Sequence, residues 1–420
     1  MNPFNTEQYL QKWIPLNEKM RAENFLWGTL FQNNEWHQYM SFDLYKMPKY
    51  QWDSLAKATQ AIAHILQKTY QLISQDETLL LKIGLPNSAY NLKNVISPYF
   101  SYFTRLDLIV NGDNIKLIEV NCDTPTGYLE TSICNRIICE MHHCQSPNGL
   151  EENIQQTWEQ IKQDYAIAPT EAIYFTSYNW HDEDRETVQF IRNNCLNQKT
   201  RYIHIGHIVI SADGIFTPKG EPIKFLYRLY PLEFFDQIDE EREQKVGHLF
   251  LEHIAEGRVK IINPPGAFFM QSKAVMALIS SFLREKPNHF TKTELNWIDK
   301  YFLPTYFDKN VFEENNEAYV AKPLWTPETL PNLKVWTPET LPNLKVWTPK
   351  NGPLGVQIFS FGIFKAVSGW TLFILKFISR LRFFRNDSGQ PQGCAADDII
   401  RAITRVCSRH KNIFVTLRIL

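Results

Sequence analysis

Residues 103–130 read FTRLDLIVNGDNIKLIEVNCDTPTGYLE, a pattern that predicts two strands around a turn at Asn111, Gly112, Asp113 and Asn114, then a loop, then a helix. Side chains alternate between the faces of a strand. Arg105 and Asp107 therefore share one face of the first strand, and Glu119 and Asn121 share one face of the second. A three-residue loop at Gly112, Asp113 and Asn114 sets Asp107 opposite Glu119 and Arg105 opposite Asn121, all on one face, whereas a loop of two or four residues breaks that alignment. The odd-numbered loop is the expected one.

Carboxylates opposed across a sheet repel, so positive charge should lie between them. An Asp, a Glu and an Asn carbonyl are hard oxygen donors, which suit Mg²⁺ and leave room for water and phosphate oxygens. Arg105 beside them offers a forked donor to a phosphate or carboxylate. Taken alone, the same pattern fits a solvated face of mixed charges. The following residues, Asp123, Thr124, Pro125, Thr126 and Gly127, put hydroxyls and free N–H groups at a helix start, where exposed amides and the helix dipole favour an anion.

The rest of the chain supports a large globular protein. Its 420 residues allow two or three lobes. A formal charge of −1 gives no general attraction for nucleic acid or for a membrane surface, so an anionic ligand must be held locally. The opening MNPFNTEQYLQKWIPL has neither the basic-then-apolar pattern of a secretion signal nor that of a transit peptide, and a cytoplasmic location is expected. Seven cysteines without regular spacing are read as reduced thiols. Cys134, Cys139, His142, His143 and Cys144 lack the spacing of a zinc site and read as a plain helix.

Residues 1–80 read as helical, with Trp52, Leu55, Ala56, Ile62, Ala63 and Leu66 on one apolar face that Thr59 dilutes. Between 170 and 265, runs such as AIYFTSY, RYIHIGHIVI and IKFLYRLY alternate with helix-like segments, a mixed α/β pattern. The texture breaks at Trp325. WTPETLPNLKV occurs twice in succession and a third copy stops after WTPK, with prolines that suit neither a helical repeat nor a central strand. No acidic residue then occurs between Glu339 and Asp387. A duplication followed by a loss of acidic residues is what a shifted reading frame produces. The apolar stretch from Val356 is interrupted by Lys365 and Lys376, so no membrane span is expected.

RLDL followed by KLIEVNCDTPTGYLE closely resembles the signature of the synthetase domain of glutathionylspermidine synthases, within the ATP-grasp superfamily. Shorter likenesses follow it: Glu183-Asp184-Arg185 before a helix, YRLYPLEFF at 227–235, Lys273 after NPPGAFFMQS, and Lys322 in AYVAKPLW. The resemblance covers roughly residues 1–325. It implies an α/β (α+β) ATP-grasp fold with a preceding pre-ATP-grasp-like lobe, and ATP and Mg²⁺ as cofactors. It also implies Asp107, Glu119 and Asn121 as metal ligands, and Arg105 as a catalytic residue facing phosphate and acyl group. Lys273 and Lys322 would bind nucleotide with Arg105, and Thr124, Thr126 and Glu183 would face the substrate. The implied reaction joins a small peptide's carboxylate to an amine through an acyl phosphate, with both substrates unspecified.

The likeness departs after Lys322, where the family has a glycine-rich loop over the phosphates and this chain has the proline-bearing repeat at 325–350, followed by an aberrant tail at 351–420. That departure keeps two rival readings open. One is an inactive relative, truncated or frame-shifted, that at most binds nucleotide or peptide. The other is an interaction protein whose repeats are extended ligands for a partner. Neither the oligomeric state nor the folding of residues 326–420 follows from the residues.

Overall fold

The computed structural model describes residues 6–324 apart from 33–34, 41–43, 45–46, 147, 237–245, 286 and 315–318, together with three later strands at 334–338, 357–366 and 369–374. The remainder of the WTPETLPNLKV repeats and of the 351–420 segment lies outside the described residues.

Helices α1 (Thr6–Ala22) and α2 (Lys49–Gln75) bear out most of the helical reading of the N-terminal region, but the hairpin of β1 (Thr29–Gln32) and β2 (Glu35–Gln38) separates them. On α2, Leu55, Ile62, Ala63 and Leu66 are buried as the spacing predicts. Thr59 is also buried, and its hydroxyl donates to the carbonyls of Leu55 at 2.9 Å and Ala56 at 3.0 Å. A polar residue is tolerated on this apolar face because the previous helical turn satisfies its donor.

The signature segment forms β3 (Phe103–Asn111) and β4 (Asn114–Asn121). The expected three-residue loop is not formed. Asn111 pairs with Asn114, leaving a two-residue turn at Gly112 and Asp113, with Gly112 at φ 57°. Gly at the first central position is what tight hairpin turns favour, because it takes positive φ without a Cβ clash. A bulge next to Asp107 and Leu108 passes over Ile118 and shifts the register by one residue, so Asp107 still faces Glu119 and Arg105 still faces Asn121.

The two remaining described strands of this sheet come from the tail. Strands β11 (Gln357–Ala366) and β12 (Gly369–Ile374) give the antiparallel order β12-β11-β3-β4. Strands β9 (Tyr319–Pro323) and β10 (Lys334–Pro338) pair separately, so part of the first two repeat copies is extended.

A second four-stranded sheet is wholly parallel: β5 (Ala172–Ser177), β6 (Lys199–His204), β7 (Phe225–Arg228) and β8 (Lys260–Ile262), in the order β8-β7-β5-β6. Helices α3 (Asn135–Met141), α4 (Leu150–Asp164) and α5 (Asp182–Asn193) precede or follow β5, and α6 (Pro265–Gln271) and α7 (Ala274–Glu285) follow β8. Leu106, Leu108, Val110, Ile115 and Leu117 point from the hairpin into one apolar core shared with α2, α6 and α7. Phe103 belongs to a second core, edge-on to Tyr227 and near Trp158. No single helix among the described residues is long and apolar enough to cross a membrane.

Two polar ties lock these layers. Asn263, directly after β8, accepts from the backbone N–H groups of Tyr102 (3.2 Å) and Phe103 (3.0 Å) and donates to the carbonyls of Phe103 (3.0 Å) and Cys122 (2.8 Å). One buried carboxamide thus joins the parallel sheet to both ends of the signature hairpin. Its removal orphans several buried backbone groups, and Asn263→Ala is expected to lower stability by about 3 kcal/mol in urea unfolding.

The second tie is Glu294 on α8 (Lys292–Tyr301), which contacts Lys68 at 2.7 Å and His64 at 2.6 Å on α2 and closes a capping box with Thr291. Burial alone would raise the Glu294 pKa, but hydrogen bonds from Lys68, Thr291 and His64 outweigh it and hold it at about 2. A depressed carboxylate stabilises the fold above its ordinary pKa of 4.5, and that contribution is lost as pH falls towards about 2. Glu294→Gln should flatten the fall in unfolding free energy across that window, as measured by urea titration at a series of pH values.

Candidate functional site

The register brings Arg105, Asp107, Glu119 and Asn121 into one patch of the β3–β4 face. Arg105 grips Asp107 with two bonds, Nε to Oδ1 at 3.0 Å and Nη2 to Oδ2 at 3.2 Å, and its Nη1 reaches the Thr126 hydroxyl at 3.5 Å. Asn121 Nδ2 lies 3.4 Å from Asp107 Oδ2. Burial opposes the charge on Arg105, but Asp107 in contact, with Glu119 and Tyr39 nearby, raises its pKa. Guanidinium geometry matches a carboxylate with two donors and leaves further N–H groups for a second acceptor.

Lys322 and Lys273 approach the patch from the β4 side. Burial lowers the Lys322 pKa, Glu119 opposes that shift and Lys273 reinforces it, which sets the two lysines and Glu119 within electrostatic reach of one another. The Lys273 backbone N–H donates to the Leu324 carbonyl at 3.1 Å, tying the end of β9 to the start of α7. A small cavity lies among Ile118, Glu119, Gln271, Ser272, Lys273 and Met276. The larger cavity, about 530 Å³, lies elsewhere, between Ser132, Arg136, Cys144 and Glu151.

Among the described residues no group of three or more His, Cys, Asp or Glu side chains is placed to hold a metal ion. In the Cys134 to Cys144 segment, Cys134 and Cys139 are buried free thiols and Cys144 is an exposed one. At the hairpin the donor set is two carboxylates and an amide oxygen. Mg²⁺ commonly takes one or two carboxylates and completes its shell with water and phosphate oxygens, so this set fits that ion as a partner of nucleotide.

The loop carrying Thr124 and Thr126 is held from below by residues to which the sequence reading gave no role. Asp123 is buried and paired with Arg228 through the two terminal guanidinium nitrogens, Nη1 at 3.1 Å. The Leu232 N–H also donates to Asp123 at 3.0 Å, and Arg228 donates to the Tyr230 carbonyl at 2.6 Å. Gln271 Oε1 accepts from the N–H groups of Cys122 (3.2 Å) and Asp123 (2.8 Å). The signals were present in the YRLYP and FMQSK segments, but only the folded chain shows that they converge on one loop. Past Gly127 (φ 100°) the chain turns into a helical run whose residues Glu130–Cys134 form a π-helix. Glu183 stands in the first turn of α5, the helix that follows the carboxyl end of β5.

This chain matches the model of the glutathionylspermidine synthase pre-ATP-grasp family over residues 10–339, and it belongs to that family. A curated relative from Haemophilus influenzae, named "Putative acid--amine ligase", is 23% identical over 238 residues, 54% of this chain and 53% of that protein. The chain therefore aligns with about half the length of the curated relative it matches. In fold it is similar to a glutathione synthetase-like effector from Globodera pallida, at TM-score 0.54 and 13% identity, over 89% of this chain and 91% of that one. The fold is that of the glutathione synthetase-like ATP-grasp-related class.

Asp123→Ala strands the buried Arg228 charge and should cost about 3–5 kcal/mol, because one unpaired buried ion is far worse than none. The double change Asp123→Leu with Arg228→Met should cost markedly less. Urea unfolding of the two proteins checks the difference, and equal losses would show that the pair is not what holds the loop.

Proposed function

We propose that the chain is an ATP-dependent acid–amine ligase with its phosphate-transfer centre on the β3–β4 face. The observation that carries this reading is the clustering of Arg105, Asp107, Glu119 and Asn121 in one register, with Lys322 and Lys273 beside Glu119. Asp107, Glu119 and Asn121 would hold Mg²⁺, which when bound neutralises charge on the nucleotide phosphates. Arg105 and the two lysines bind the nucleotide, and Thr124, Thr126 and Glu183 face the peptide and amine substrates. The substrate carboxylate takes the γ-phosphoryl group of ATP to give an acyl phosphate. The amine nitrogen then attacks the acyl carbon, phosphate leaves and the amine proton is released. Arg105 lies where it can offset charge on both the phosphate and the tetrahedral intermediate, so the residues act by position and electrostatics.

In this reading residues 1–325 are the catalytic pre-ATP-grasp and ATP-grasp region, 325–350 a tandem repeat and 351–420 an appended tail. A second reading has its own observation: the repeat after Lys322 places prolines where a phosphate-covering loop needs glycine freedom and backbone donors, which favours an inactive relative that binds ligand without turnover. Calorimetry with ATP and Mg²⁺ tests both. Asp107→Ala and Glu119→Ala should each weaken binding at least about tenfold, about 1.4 kcal/mol, without unfolding the chain. ADP or phosphate release with a peptide and an amine supports the ligase, binding without release supports the inactive relative, and affinity unchanged by both substitutions overturns the site.

A further inference from the structure

Helix α3 ends in a closure around His143, which takes φ 53°. The Cys144 N–H donates to the Cys139 carbonyl at 2.9 Å, and the His143 N–H donates to the Glu140 carbonyl at 3.0 Å. Nested bonds of this kind satisfy the last carbonyls of a helix. They also fold the residue after the left-handed one back onto the final turn, where a side-chain contact commonly accompanies them. In this chain both residues of that contact are cysteines. Cys144 Sγ lies 3.4 Å from the Cys139 carbonyl oxygen, and Cys139 Sγ donates to Asn135 Oδ1 at 3.6 Å. Burial, and after it a hydrogen bond with the Cys144 thiol, push the Cys139 thiol up to about 11. The two thiols differ in access. Cys139 is buried, whereas Cys144 is exposed and lines the cavity of about 530 Å³ with Ser132, Arg136 and Glu151. Cys122, Cys134 and Cys195 are buried as well, so Cys144 is the one exposed thiol among the described cysteines.

We propose that Cys139 and Cys144 form a redox-modification site, an exposed thiol with a buried resolving thiol behind it, which closes to an intrachain disulfide when a small-molecule disulfide reaches the cavity. Thiols already in contact in the reduced fold meet the geometry of a disulfide with little backbone movement, because the helix end holds their main chains together. Cys144 loses its proton to solvent, and its thiolate attacks one sulfur of the reagent. The reagent's S–S bond breaks and expels a first thiolate, which takes up a proton. Cys139 then gives up its proton and attacks the Cys144 sulfur, forming the Cys139–Cys144 bond and expelling a second thiolate. Two electrons pass from the pair to the reagent, which leaves as two thiols. The order follows from access: the exposed thiol meets the reagent first, and the less acidic Cys139 reacts because its target is held against it. The inference is independent of the ligase reading and gives a role to cysteines that otherwise read as part of a plain helix.

The test treats the full chain with hydroxyethyl disulfide, quenches it with acid and N-ethylmaleimide in denaturant, and weighs the tryptic peptide 137–162, which holds both cysteines. That peptide should be lighter by two hydrogen atoms and carry no maleimide, and dithiothreitol should restore two thiols that alkylate. In Cys139→Ser the reagent's adduct on Cys144 should persist, whereas in the parent it should decay at least about tenfold faster as Cys139 displaces it. In folded Cys144→Ser the buried Cys139 should stay unmodified. An unreacted Cys144, an adduct that persists on Cys144 of the folded parent, or a link from Cys144 to any other cysteine overturns the proposal. Ready modification of Cys139 in folded Cys144→Ser overturns it too. The parent's peptide decides the matter by itself if a serine variant fails to fold.

Discussion

The buried contact between Asp123 and Arg228 is the constraint on which the arrangement of the site depends. Neither side chain reaches solvent, and both ions had to be stripped of water to sit there. Such a pair is favoured by bidentate geometry and by further partners for the two ions. Here the Leu232 N–H donates to the carboxylate and the Tyr230 carbonyl accepts from the guanidinium, while the buried Arg228 Nε has no partner among the described residues, and the signature loop is bound to the segment after β7. Asn263 and Gln271 repeat the same device from the two sides of α6. Together they hold the loop that carries Thr124 and Thr126 against the parallel sheet.

The hairpin illustrates how a local rule can fail and the functional register survive. Two-residue turns fit the right-handed twist of paired strands, and Gly112 with Asp113 satisfies that preference. On its own this turn would have set Glu119 and Asn121 on the face opposite Arg105 and Asp107. The bulge at Ile118 moves the far half of β4 by one residue and reverses that outcome. Bulges recur beside functional sites because they re-aim side chains without changing the rest of the sheet. The near half of the hairpin meanwhile keeps Leu108, Val110, Ile115 and Leu117 in the core.

Burial and charged neighbours set the charges of this face together. Arg105 is kept charged by Asp107 although burial opposes it, whereas Lys322 is lowered by burial and by Lys273 and only partly restored by Glu119. A face with two carboxylates flanked by an arginine and two lysines is close to neutral as a whole, yet each sign is locally concentrated. That pattern suits a ligand carrying both a cation and phosphates, since both signs then find partners in the same small area.

The sequence by itself determined the mixed fold class, the strands and helices of the signature segment, the apolar face of α2 and the family, because these depend on local periodicity and on a dense run of motif residues. It also named Arg105, Asp107, Glu119 and Asn121 as one group, although through a loop length that the chain does not use. Only the tertiary structure decided that Arg228, Asn263 and Gln271 hold that group's loop, that Lys322 comes within electrostatic reach of Glu119 and Lys273, and that a tail strand of foreign composition pairs with β3 beside Asp107. Each of these joins residues far apart along the chain, from opposite sheets or from beyond the repeats. Periodicity carries no information about which distant backbone group a buried amide or guanidinium will satisfy; that is settled when packing removes water and leaves the protein as the only source of partners.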